Sequence, residues 1–249
     1  GIAMGSGTDI ARETADMIII DDNFKSIVSG IKEGRVAYAN IRKIILFLIS
    51  CGLAEVIFFC LSIMLDMPMP LVAIQLLWIN VVTDGIQDFA LSFEKAEKGI
   101  LKEKPRNPKE SIFNKKLIQE ILVSGLVIGG IVFAVWYILL KKLNMDVAVA
   151  RGYTLALMVF IQNIHVFNCR SEHRSAFSVP IKNNWLVVGG VVVSIVLQFI
   201  VMEVDFLSRF LQTFKIPFTH LVYLFGTSLL VLVIIEIYKK VNNSIKKSN

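Results

Sequence analysis

Six runs of apolar residues, each close to twenty long, dictate the solvent in which this chain folds. About twenty such residues form one α-helix across the roughly 30 Å hydrocarbon layer of a bilayer. The runs are Ile44–Leu65, Leu71–Phe93, Leu117–Leu140, Gly152–Phe167, Trp185–Val204 and Phe218–Tyr238. A hydrophobic content of 55% and a mean hydropathy of +0.66 agree with that reading. The predicted fold class is a mainly α, polytopic membrane bundle of six transmembrane helices. Six crossings return the chain to its starting side.

The basic residues fix which side that is. Of 26 Lys and Arg, all but Lys141, Lys142, Arg151, Arg209 and Lys215 fall in the segments that share a side with the two ends. Segments rich in Lys and Arg stay in the cytoplasm, so both termini are expected there, in a multi-pass protein of the plasma or another cell membrane. The formal net charge of +6 is then a topological signal. It does not indicate a nucleic-acid partner; the bilayer is the expected partner.

Residues 1–24 look like the end of an α/β domain. Gly1–Met4 and Met17–Ile20 are short apolar runs suited to strands, and Thr8–Ala15 between them has a helical pattern. Asp21, Asp22 and Asn23 supply capping side chains for an amphipathic stalk over 25–43 that should continue into the first span. The start at Gly1, without Met, suggests a piece of a longer chain. Residues 239–249 read as a basic tail, and Glu94–Lys116, with Pro105 and Pro108, as an irregular surface loop. Cys51, Cys60 and Cys169 fit no disulfide framework and are read as packing residues.

The costly residues lie in the second span. Asn80, Thr83, Asp84, Gln87 and Asp88 recur at helical spacing along one face, and Glu55 lies at a matching depth in the first span. Carboxylates at the membrane centre cost a few kcal/mol or more unless they face a partner, a cavity or an ion. Gly85 suggests an unwound turn that frees carbonyl oxygens for the same site. Gln162 and Asn163 in the fourth span fit either ion contact or a helix-to-helix hydrogen bond. His165 reads as structural, and Glu120 and Glu203 as solvated residues near span ends.

Three strings, GIAMGSGTDIARETADMIIIDDNFKSIVSGIKEGR, NIRKIILFLIS and QLLWINVVTDG, resemble the P-type cation ATPases of the class that includes the sarcoplasmic-reticulum calcium pump and the sodium pump. The resemblance covers essentially the whole chain. It implies that residues 1–24 end the phosphorylation domain and that 44–238 are the last six of ten membrane helices. The intact parent then uses ATP and Mg2+, and its missing partners are the first four helices and the actuator and nucleotide-binding domains. The DKTGT and TGDG motifs of the family are absent here, so this stretch alone should not hydrolyse ATP.

The resemblance also assigns roles. Glu55, Asn80, Thr83 and Asp84 match ion ligands of the calcium pump, and their hard oxygen chemistry suits Ca2+. Gly52 replaces an Asn ligand and Gln162 replaces a Glu, which reduces the expectation to one ion per cycle. Asp88 is an added carboxylate, for the site or for proton countertransport. The expected metal-site set is Glu55, Asn80, Thr83, Asp84, Asp88 and Gln162. Sodium, potassium or proton-coupled transport, and a truncated non-hydrolytic membrane protein, are the alternatives.

Overall fold

The computed structural model describes residues 1–97, 99–102, 105, 111–172 and 174–248, with side chains as far as 242. Lys98, Lys104, Arg106, Pro108 and Lys109 of the basic loop, and the side chains of Lys246 and Lys247, lie outside the described residues.

The chain opens with a β-α-β unit. Strand β1 (Ile2–Met4) pairs in parallel with β2 (Met17–Ile19), placing Ile2 opposite Met17, and α1 (Asp9–Thr14) makes the crossover under a Thr8 cap. The Asp22 carboxylate accepts the Ser6 N–H at 3.0 Å, and Asp21 accepts the Ser26 hydroxyl at 2.6 Å. The Ser26 hydroxyl holds Asp21 below the usual carboxylate range, and the Ser6 backbone N–H does the same for Asp22. Asn23 then caps α2 (Phe24–Met64), a single helix of 41 residues. At 1.5 Å per residue it is about 60 Å long, twice the hydrocarbon thickness, so half of it projects beyond the bilayer.

A Schellman turn ends α2. The Met67 N–H donates to Ser62 and the Asp66 N–H to Ile63, with Asp66 in the left-handed region at φ 49°. The segment that follows is built from α3 (Ala73–Ile79), a π-helical segment (Asn80–Gly85) and α4 (Ile86–Ser92). Among the described residues five single helices are long and apolar enough to span a membrane; the segment expected at Leu71–Phe93 is this composite instead. The other four long apolar helices are α5 (Lys115–Tyr137), α6 (Val147–Cys169), α7 (Trp185–Glu203) and α9 (Phe218–Ser248), with the short α8 (Asp205–Phe210) before the last. Lys239 therefore stands within a helix.

Packing explains the order of hydropathy. Helix α6 is buried without interruption from Gly152 to Asn163 and is the least hydropathic of the five. Helices α2, α5, α7 and α9 pack around it, so the polar groups along much of α6 meet protein. The most extensive pairing joins α2 to α5. There Gly129 lies so close that a Cβ on it sits 2.8 Å from the Ala54 carbonyl oxygen.

Polar clamps close both ends. At one end Arg170 makes a bidentate pair with Glu94 at 2.8 and 3.0 Å, and Asn184 adds a 3.2 Å hydrogen bond to the same carboxylate. Glu94 is 3% exposed, so the segment read as surface loop begins with a buried anchor. Arg42 grips Glu172 through two 2.7 Å bonds, and Lys239 donates to the carbonyls of Asn168 and Ser171, which end α6. Glu120 is also buried, 3.7 Å from Lys116. The expectation that it is solvated fails because α2, α6 and α9 cover this turn of α5. At the opposite end Arg151 donates to the Met69 carbonyl and Gln75 to that of Leu211.

Arg170→Ala strands a buried carboxylate and should destabilise the fold by about 3–5 kcal/mol. Lys215→Ala removes an exposed pair with Glu203 and should cost under about 1 kcal/mol. Thermal unfolding in detergent, followed by size-exclusion fluorescence, measures both; equal effects contradict the clamp.

Candidate cation site

The site forms where the π-helical segment meets α6. A π turn carries an extra residue, which rotates the side chains after it relative to an α-helix and so resets which of them face inward. Thr83, Asp84 and Gln87 are buried here, Asp88 is half-buried, and Asn80 is exposed. Of the five residues expected on one face, Asn80 alone is exposed within these 249 residues. Gly85 is not unwound. Its φ of −58° and ψ of −40° are helical, and the irregularity is the added residue before it.

Gln162 joins the three crossings. Its Nε2 donates to Glu55 Oε1 on α2 at 3.3 Å, and its Oε1 accepts the Thr83 hydroxyl in a short hydrogen bond. Thr83 Oγ1 also lies 2.7 Å from the Ile79 carbonyl, the back-bond common to hydroxyls in helices. The structure thus brings Glu55, Thr83 and Gln162 together with Asp84 alongside. Among the described residues Asn80 makes no side-chain hydrogen bond.

A second chain of contacts supports the first. Asn163 Oδ1 accepts Gln87 Nε2 at 2.9 Å, and Asn163 Nδ2 donates to Ser194 on α7 at 2.7 Å. Gly190 permits this approach, since a Cβ there meets Gln87 Oε1 at 3.2 Å. Both Gln162 and Asn163 therefore make helix-to-helix hydrogen bonds. Ser194 and Gly190 escaped the sequence reading; their signal was two small residues one turn apart in an otherwise bulky span.

On the π segment and α4 the buried unpaired atoms are acceptors. Asp84 Oδ1, Gln87 Oε1 and Asp88 Oδ1 are buried and take part in no hydrogen bond. Buried polar atoms nearly always find a partner, and an orphaned set of oxygens is satisfied by a cation or by protons. Among the described residues, no three His, Cys, Asp or Glu side chains form a metal-ligand group. A cation bound here must therefore also draw on amide, hydroxyl or carbonyl oxygens.

His165 is buried against the other side of α6. Its Nε2 lies 2.9 Å from Ser50 Oγ and 3.3 Å from Cys169 Sγ, a helix-packing position. The cysteines are free.

The family model described as cation transporting ATPase, C-terminus, matches residues 68–241. A calcium-transporting ATPase of Bacillus subtilis is 40% identical over 203 residues, covering 81% of this chain and 23% of that protein. The human calcium-transporting ATPase type 2C member 1 is 35% identical over 251 residues, covering 99% and 27%. Calcium-transporting ATPase 1 of Bacillus cereus is 33% identical over 255 residues, covering 96% and 29%. The chain spans about a quarter of the length of these relatives.

Asn163→Leu cuts the link between α4 and α7 and strands Gln87. A loss of about 1 kcal/mol is expected for an interhelical hydrogen bond in a membrane. Thermal unfolding in detergent reads it; an unchanged midpoint contradicts the supporting role.

Proposed function

The chain belongs to the cation-transporting ATPase family, as the C-terminal membrane part, and on that premise we propose that it forms most of the transport site of an ATP-driven calcium pump. The carrying observation is the buried, unpaired acceptor set of Asp84, Gln87 and Asp88 beside the Glu55–Gln162–Thr83 bridge. The relatives' names point to calcium. Ca2+ takes six to eight oxygens in a flexible cage, and two carboxylates suffice to balance its charge.

In this reading Asp84 and Glu55 supply charge, and Thr83 and Gln162 supply neutral oxygens. Gln162 also holds Glu55 in position. Asp88 and Asn80 stand at the margin, Asn80 on the exposed face where the rest of the pump closes the cage. With Gly52 offering no side-chain ligand and Gln162 no charge, one ion is carried per cycle. The basic end faces the cytoplasm of a plasma or other cell membrane.

The coupling follows from α2. One uninterrupted helix links the β-α-β unit to Glu55, so displacement of that unit moves Glu55 against Asp84. Ile10 and Ile20 of the unit are 75% and 90% exposed, as suits a fragment of a larger phosphorylation domain. ATP and Mg2+ bind in that larger part of the parent.

In the full-length pump in proteoliposomes, Asp84→Asn should raise the calcium concentration for half-maximal ATPase activity at least about tenfold. A wild-type pump stimulated only by sodium or potassium overturns the calcium reading. The 249 residues alone should hydrolyse no ATP under any ionic condition, as a phosphate-release assay would register.

A further inference from the structure

A second polar cluster lies away from the transport site, where α2, α5, α6 and α9 meet near the basic end. Three buried side-chain atoms there make no hydrogen bond with a protein group: Glu120 Oε2, His165 Nδ1 and Asn168 Oδ1. Their residues line one small cavity of about 10 Å³, together with Ser124 and Lys239. Each of these five residues is at most 6% exposed. Leu46 and Ile235 supply apolar wall.

The neighbouring bonds decide what each atom offers. Asn168 Nδ2 donates to Glu236 Oε1 at 3.2 Å, so the atom left over is the amide oxygen, an acceptor. The Ser50 hydroxyl donates to the Phe47 carbonyl at 3.0 Å, which leaves its oxygen to accept the His165 Nε2–H at 2.9 Å. That assigns the ring proton to Nε2 and makes Nδ1 a bare acceptor. Glu120 Oε1 lies 3.7 Å from Lys116, while Oε2 has no such partner. Lys239 gives two of its three ammonium hydrogens to the carbonyls of Asn168 and Ser171 and keeps the third. The cavity therefore gathers three acceptors and one donor.

We propose that this cavity binds one water molecule, which ties α5 to α6 and α9. The water accepts the third Lys239 hydrogen and donates to two of the three acceptors, Glu120 Oε2 on α5 and Asn168 Oδ1 on α6. A buried water makes about three hydrogen bonds to otherwise unsatisfied groups, and about 10–15 Å³ suffices to hold it. Charge argues against a metal cation. Lys239 and Lys116 already flank the one carboxylate in the wall, and a further positive charge beside them is repelled at low dielectric. Glu236, next outward, is engaged by Asn168 and by the Ala176 N–H.

The test is a crystal structure of the full-length protein in detergent, at a resolution that shows ordered water. Wild type should show one peak about 2.6–3.2 Å from both Lys239 Nζ and Glu120 Oε2. Ser124→Thr adds a methyl group to the wall; it should lose the peak and unfold at a lower temperature than wild type, whereas Ser124→Ala should keep the peak. An anomalous peak in the cavity after a thallium(I) soak assigns it to a monovalent cation and overturns the proposal. So does a wild-type cavity without a peak, or loss of the peak in Ser124→Thr with an unchanged unfolding temperature.

Discussion

The hydrocarbon layer supplies no hydrogen bonds, and this constraint organises the molecule. Every polar side chain placed at that depth must find its partner inside the protein. Helix α6 meets the demand by running through the interior, where Thr154, Gln162, Asn163, His165 and Asn168 are all buried. The helices around it can then be almost wholly apolar outside and still pack on a polar post.

Within that frame the polar groups sort into two kinds of layer. At the basic end the buried groups are tied by ion pairs and end-of-helix bonds, Glu94 with Arg170, Arg42 with Glu172, and Lys239 on the end of α6, with Glu120 Oε2 and Asn168 Oδ1 left over. These ties fix where the helices stop. At mid-membrane the set is incomplete, with donors spent on Glu55, Gln162 and Asn163 and acceptors left over on Asp84, Gln87 and Asp88. Leftover carboxylate and amide oxygens on one stretch of helix make the mid-membrane set the candidate cation site, and α2 connects the two layers as one rod.

Much of this was legible in residue order. Apolar runs of bilayer length announced the bundle, and the absence of Pro between Phe24 and Met64 allowed one long helix. The acids at Glu55, Asp84 and Asp88 were visible because they are the only charged residues in their two spans. Less legible was anything that depends on a neighbour. Glu94 and Glu120 sit beside polar residues in the sequence and looked solvated, yet partners more than fifty residues away, or whole helices, enclose them.

The sequence by itself determined the solvent, the number of apolar runs and the residue types of the cation cluster, because hydropathy and charge are local properties. Tertiary structure decided which of those residues meet. The π winding of Asn80–Gly85, with Thr83 and Asp84 buried in it, is a feature of the folded helix, and Gln162 became the bridge only when α6 packed between α2 and the π segment. A helical face is a matter of about 100° per residue, and packing, rather than spacing, sets the local winding on which that angle depends.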